Sequence, residues 1–457
     1  HNKTFEEIQY KMLYLCEAAF DQYMNDIFHP ELPNKQQNKI QWGELYGCSR
    51  ALAMAQAVQR SQKLVVVITP DTLSATQIAY ELRFFLDEAT HPILQFPDWE
   101  TLPYDMFSPH QDIISLRIRT LNILPNTQQG VLICPVASLM NRLSPQSYIN
   151  DNSFLLNVKS KLDITHLRKR LTENSYACVS QVFEHGEFAI RGAIIDIFPM
   201  TCDTPFRIEL CDDEIESMRS FDPETQRSLE KVTSIDLLPA KEIPLTDEAV
   251  TRFRMQWREN FPSSPRHCSV YQDVTNGLAA AGIEYYIPFF FEKTVNLLDY
   301  IPENSLIIRA KDTHDKADEF WKEIERRHEQ LAYDITRPLL KPHEAFFSVS
   351  DVFARLKDFA QVEWQETPLS PQATHYNFAT TPLPCLNIQH QLKNPLEKLQ
   401  GFLKTSQNRL LFFSETTGRR EALLALFKEI DLTPTVIECW NDFLGSNDPY
   451  CLTVFPL

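Results

Sequence analysis

Apolar positions along the 457-residue chain fall into two textures that meet near residue 150. In the first, continuous apolar runs alternate with helical spacing. Lys63–Thr69 (KLVVVIT), Ile93–Phe96 and Gly130–Cys134 (GVLIC) read as strands. Lys63–Thr69 is an uninterrupted, β-branched run, which suits a strand covered on both faces of a parallel sheet. Arg50–Arg60, Leu73–Asp87 and Ser115–Leu124 carry helical spacing. This alternation predicts a doubly wound sheet. Ahead of it, Phe5, Ile8, Met12, Leu15 and Ala19 predict a helix over residues 4–25, and His29–Lys39 reads as a polar linker.

In the second texture, strands are short and close together. Val179–Phe183, Glu187–Ile190, Gly192–Phe198 and Phe206–Cys211 follow a helix at Asp163–Asn174, and Asp222–Glu230 reads as a turn or short helix. A compact, mainly antiparallel unit is expected. Later come a helix at Asp247–Phe261, strand signals at Glu284–Ile287 and Leu306–Ile308, and a polar helix at Lys311–Tyr333. Tyr333–Ser348, with Pro338 and Pro342, reads as a linker. The last α/β pattern comprises helix Ser350–Asp358, a Pro-rich connector Thr367–Pro384, helix Pro395–Thr405, strand Arg409–Phe413 and helix Arg419–Ile430. The expected spans are 1–40, 41–150, 151–235, 236–334 and 335–457.

Composition narrows the function classes. Hydrophobic residues make up 43% and charged residues 23% of the chain, so sizeable cores form readily. The net charge of −17 disfavours a phosphate backbone as a direct ligand. Ten cysteines show neither CxxC nor zinc spacing, which suits free thiols in a reducing cytoplasm; no metal site is expected. No apolar run reaches the ~18 residues of a membrane helix. The start at His1-Asn2 and the strand-like Cys451–Leu457 suggest a piece of a longer polypeptide.

Four blocks occur in a telling order. They are Asp98–Ile114 (DWETLPYDMFSPHQDII), Gln181–Pro199 (QVFEHGEFAIRGAIIDIFP), Phe206–Glu216 (FRIELCDDEIE) with Ser220–Pro223, and Gly282–Phe291 (GIEYYIPFFF). Together they resemble the bacterial transcription-repair coupling factor family and, more distantly, the excinuclease component UvrB. The resemblance implies an α/β fold: a helicase (RecA)-like parallel-sheet domain split by an inserted β-rich α+β domain, then a separate small α/β domain. It also implies that RNA polymerase and duplex DNA are handled by domains beyond Leu457, where ATP and magnesium would be used.

A phosphate loop needs clustered glycines, a lysine and a Ser/Thr. The corresponding stretch, Leu45–Leu52 (LYGCSRAL), has only Gly47, and Arg50 stands near the lysine position without its point-charge geometry. After Leu306–Ile308 comes Arg309-Ala310-Lys311-Asp312 rather than an acidic pair. A degenerate nucleotide site is expected, with no cofactor and no catalytic residue in this segment. Asp105–Arg117 is too short for the DNA-clamping hairpin of UvrB, so Trp99, Tyr104 and Phe107 are read as core packing. His185 and Glu187 around Gly186 read as a turn, and Ser414–Arg420 as a helix cap.

In both families the β-rich insert binds the excinuclease component UvrA. Arg191 matches the second arginine of the related FRVRG motif, and Arg207 with Glu209 matches an Arg-x-Glu pair. Residues two apart on a strand share a face, so Arg207 and Glu209 should form an outward charged stripe with Phe206 and Ile208 turned inward. The alternative for that pair is a simple cross-strand ion pair. Ala189, Ala177 and Cys178 stand where UvrB carries arginines. The leading reading is a cytoplasmic recruitment module; the alternatives are an active DNA-dependent ATPase and a free-standing adaptor.

The charge balance yields one outcome directly. Fluorescence anisotropy with duplex DNA at physiological salt should show no binding; a sub-micromolar Kd with a steep salt slope would reveal a hidden basic groove.

Overall fold

The computed structural model describes residues 12–14, 26–261, 265–384, 386, 396–406 and 408–454. Seven parallel strands form the largest sheet, in the order His375–Asn377, Lys39–Gly43, Ala360–Trp364, Leu306–Ala310, Leu64–Thr69, Gly130–Pro135, Ile93–Gln95. Parallel crossovers put helices on both faces, so the central strands must be apolar on both sides. Leu64, Val66 and Ile68 face one core, and Val65 and Val67 face the other. Ser49–Ser61 and Thr72–Phe85 cover the second face, while Val136–Met140 and Val349–Leu356 cover the first.

Between Gly130–Pro135 and Leu306–Ala310 the chain leaves this sheet. Phe154–Asn157 on the way out pairs with Ser234–Leu237 on the way back, closing the neck of an inserted unit. Inside lies a six-stranded sheet ordered Ser228–Val232, Glu214–Phe221, Phe206–Cys211, Ile194–Ile197, Glu187–Arg191, Ala177–Cys178. All its pairs are antiparallel except the last, which is parallel. Its inner face meets Leu167 and Leu171 of helix Ile164–Glu173 and also Ile114 and Ile118 of helix Gln111–Ile123. The insert and the large domain thus share a core.

A third unit holds three parallel strands, Leu410–Ser414, Tyr450–Val454 and Thr435–Val436. It docks on the large domain through Trp440 and Phe413, whose rings lie 5.2 Å from Phe85 and 5.6 Å from Phe84. The expected fold class is therefore found.

Several local expectations are corrected. The helix over 4–25 lies outside the described residues except at Met12–Tyr14, which form a strand antiparallel to Leu410–Ser414. Glu284–Ile287 lies in a 3-10 helix, Ile283–Phe289, because its aromatic side chains are buried all round among Trp257, Trp99 and Tyr104. Val179–Phe183 forms no strand, and Ser228–Val232 is one. The large sheet also runs past residue 335: Ala360–Trp364 and His375–Asn377 belong to it. The supposed linker is packed, with Tyr286 donating to the Pro338 carbonyl (2.9 Å), Tyr104 to that of Leu340 (3.0 Å), and Phe346 buried. Trp99 and Tyr104 are core residues as expected, whereas Phe107 is 68% exposed.

The junction of insert and large domain rests on a buried charge. Arg117, on helix Gln111–Ile123, is fully enclosed between Phe96 and Trp99. It donates to Glu242 (2.8 Å), just past the returning neck strand, and to the Pro97 carbonyl (2.8 Å). Removing one partner of a buried ion pair costs about 3–5 kcal/mol, whereas replacing both by apolar groups is often neutral. Urea unfolding of Arg117→Met should show that loss, and Arg117→Met with Glu242→Leu should recover most of it. Equal losses in the single and double variants would contradict the pairing.

Candidate functional site

The outer face of the inserted sheet carries the expected charged residues. Phe206 and Ile208 are buried inward, so Arg207 and Glu209 point to the other side. What the sequence does not disclose is Asp196, the Cα partner of Arg207 on the neighbouring strand. Its side chain is fully buried. Arg207 grips it with two parallel hydrogen bonds, Nε to Oδ1 at 2.7 Å and Nη2 to Oδ2 at 2.9 Å. Such a fork is the strong form of a charge-assisted pair. Those bonds hold the Arg207 guanidinium above its usual pKa range. Arg191 Nη2 also donates to Oδ2 of Asp196. One carboxylate thus gathers both arginines.

The two arginines differ in freedom. The Arg207 side chain is 19% exposed and lies over the Phe221 ring at 4.8 Å; that of Arg191 is 47% exposed. Phe221 belongs to a small cluster on this face with Val182, Ala189 and Phe198. Ala189 stands directly across from Asp196 on the other flanking strand, so from that strand the carboxylate is reached by Arg191, two residues along. Glu209 accepts from Ser217 Oγ at 2.6 Å rather than pairing with Arg207. Arg207 therefore makes the cross-strand ion pair that is the alternative for this stripe, with Asp196 on the neighbouring strand as its partner. Gly192, at φ 61°, opens the tight turn between Arg191 and Ile194, a left-handed position that glycine takes without a steric penalty. The turn fixes the register that puts Arg191 beside Asp196.

The phosphate-loop region is a second place to examine. Gly47 has φ 56° and sits in the turn before helix Ser49–Ser61. Several backbone amides in and around this loop are already used. Those of Glu44, Leu45, Tyr46 and Ser49 donate to Thr367 O, Gln365 O, Thr380 Oγ1 and Tyr46 O. Thr380 Oγ1 in turn donates to the Glu44 carbonyl, so a hydroxyl of the chain itself occupies the loop. Arg50 lies against Glu81, whose side chain is fully buried (Nε to Oε2, 3.4 Å), and 5.5 Å from the Trp364 ring centre. It is turned to an internal carboxylate. Farther along, Thr416 Oγ1 accepts from the Arg419 amide, the expected cap. Among the described residues no cluster of metal-ligating side chains occurs, and no helix is long and apolar enough to cross a membrane.

Comparison with known proteins bears on the insert and on the C-terminal unit. Residues 154–243 match the family described as UvrB interaction domain, and residues 402–457 match the one described as MFD, D3 domain. The transcription-repair-coupling factor of Haemophilus influenzae is 37% identical over 433 residues, covering 94% of this chain and 37% of that protein. That of Escherichia coli is 40% identical over 414 residues, covering 90% and 36%. That of Bacillus subtilis is 29% identical over 278 residues, covering 58% and 23%. The chain spans just over a third of the length of the first two relatives.

Asp196 is the residue whose loss should disturb the face most. A hydrogen bond to a charged group contributes about 1.5–3 kcal/mol, while an exposed ion pair contributes about 0–1 kcal/mol. Denaturant titration should therefore show Asp196→Asn losing clearly more stability than Arg191→Ala. Equal, near-zero losses would mean that the arginines hold their places without the carboxylate.

Proposed function

The chain belongs to the transcription-repair-coupling factor family, and from that premise we propose that it is the recruitment module of such a factor. In this reading the outer face of the inserted sheet docks the excinuclease component UvrA through Arg191, Arg207 and Glu209. The observation that carries it is the grouping of both arginines on buried Asp196. A guanidinium held in place loses little freedom on binding, and part-buried arginines suit interface cores. The match of residues 154–243 to the UvrB interaction domain supports the same assignment.

The module itself neither binds nor hydrolyses ATP. Its phosphate loop has no lysine, the amides of Glu44, Leu45 and Tyr46 are taken by Thr367, Gln365 and Thr380, and Arg50 is engaged by Glu81. ATP-driven movement on duplex DNA and contact with RNA polymerase belong, in this reading, to other parts of a cytoplasmic factor.

Binding measurements test both halves of this reading. Truncating a buried, charge-paired interface residue costs about 2–5 kcal/mol, and 1.4 kcal/mol is a factor of ten. Calorimetric titration with UvrA should show Arg191→Ala weakened on the order of tenfold or more and Arg191→Glu more still, with little change in Tm. Unchanged affinity for both, with the proteins folded, would move the docking surface elsewhere. Titration with ATP and magnesium should give no heat of binding; micromolar binding abolished by Arg50→Ala would overturn the reading of the loop.

A further inference from the structure

The charged face does not end at Arg207. The register sets Arg219 directly across from Arg207, and Lys231 directly across from Arg219. Three cations therefore stand abreast on neighbouring strands. Like charges placed opposite each other destabilise a sheet unless a countercharge serves them. Asp196 does not serve Arg219: the three N–H groups that its oxygens accept all belong to Arg191 and Arg207. Glu209 lies one row along the strand and accepts from Ser217.

Arg219 is thus left over. It is half-buried, its Nε is sealed from water without an acceptor, and its side chain makes no hydrogen bond or ion pair among the described residues. Leaving a buried donor unmet costs about 1–3 kcal/mol, and no internal carboxylate offsets the charge of the guanidinium, whose accessible N–H groups are open to an outside acceptor. Lys231 is exposed beside it. Exposed apolar side chains stand on the flanking strands, Ile194 at 37% and Leu229 at 54%. Arginines among apolar groups match the make-up of protein interfaces.

We propose that Arg219 and Lys231 receive carboxylates of a partner protein, extending the docking face over the next two strands. This rests on the docking function proposed above, and it names the partner's chemistry: an acidic patch placed to meet Arg219 with two parallel hydrogen bonds. A protein is favoured over a nucleic acid because Glu209 shares the face and the chain carries a net charge of −17, which repels a polyanion.

The test uses the whole chain and purified UvrA in calorimetric titrations at several salt concentrations. Arg219→Glu with Lys231→Glu is compared with wild type, Arg219→Lys and the reference Arg191→Glu; Arg219→Gln replaces the reversal if that variant misfolds. The double variant is expected to bind on the order of tenfold or more weakly and with a flatter salt dependence. Arg219→Lys is expected to fall between, since lysine keeps the charge but loses the fork. If Arg191→Glu weakens binding and the double variant does not, the extension is overturned while the docking face stands. If neither weakens it, the docking reading fails and takes the extension with it. Tight binding of duplex DNA that the double variant abolishes would overturn the proposal in favour of a phosphate-binding face.

Discussion

A guanidinium that is out of contact with water fixes this molecule's geometry. Arg117 lies on a helix of the parallel-sheet domain, yet its carboxylate partner Glu242 lies on the chain returning from the insert. The pair can form only when the neck strands, the helix and the loop around Phe96 are all in place. Its aromatic walls and the shared core of Ile114 and Ile118 with the inserted sheet remove the freedom that a two-chain neck would otherwise allow. The insert is therefore held as part of one body, and its outer face points in a set direction.

The same economy of charge recurs on that outer face. A single buried carboxylate, Asp196, orders two arginines that come from different strands. Burial of Asp196 would be costly without them, and they would repel each other without it. The acidic chain thereby keeps a small cationic surface of defined shape. In the phosphate loop the logic is inverted: the amides of Tyr46, Leu45 and Glu44 are satisfied internally by Thr380, Gln365 and Thr367.

Much of this is legible in the sequence, for reasons that differ by residue. The apolar run Leu64–Ile68 announces a strand covered on both sides, because only such a strand tolerates it. The alternation Phe206, Arg207, Ile208, Glu209 gives the inward and outward sides without any tertiary knowledge. Asp196 is not legible as a hub. It interrupts an apolar run as one polar residue, and only the strand register sets it against Arg207. Pro338 and Pro342 suggest a linker, but hydrogen bonds from Tyr286 and Tyr104, distant in sequence, pack that segment into the domain. Local propensity also fails at Ile283–Phe289, where aromatic packing on every side overrides a strand-like composition.

The central claim, that the outer face of the insert receives the repair partner, is most directly tested by hydrogen–deuterium exchange of the chain with and without UvrA. Slowed exchange is predicted in 187–197, 206–221 and 228–232, with no change at 44–50. Slowed exchange confined to the small C-terminal unit at 410–454, or to the loop at 102–107, would contradict the account.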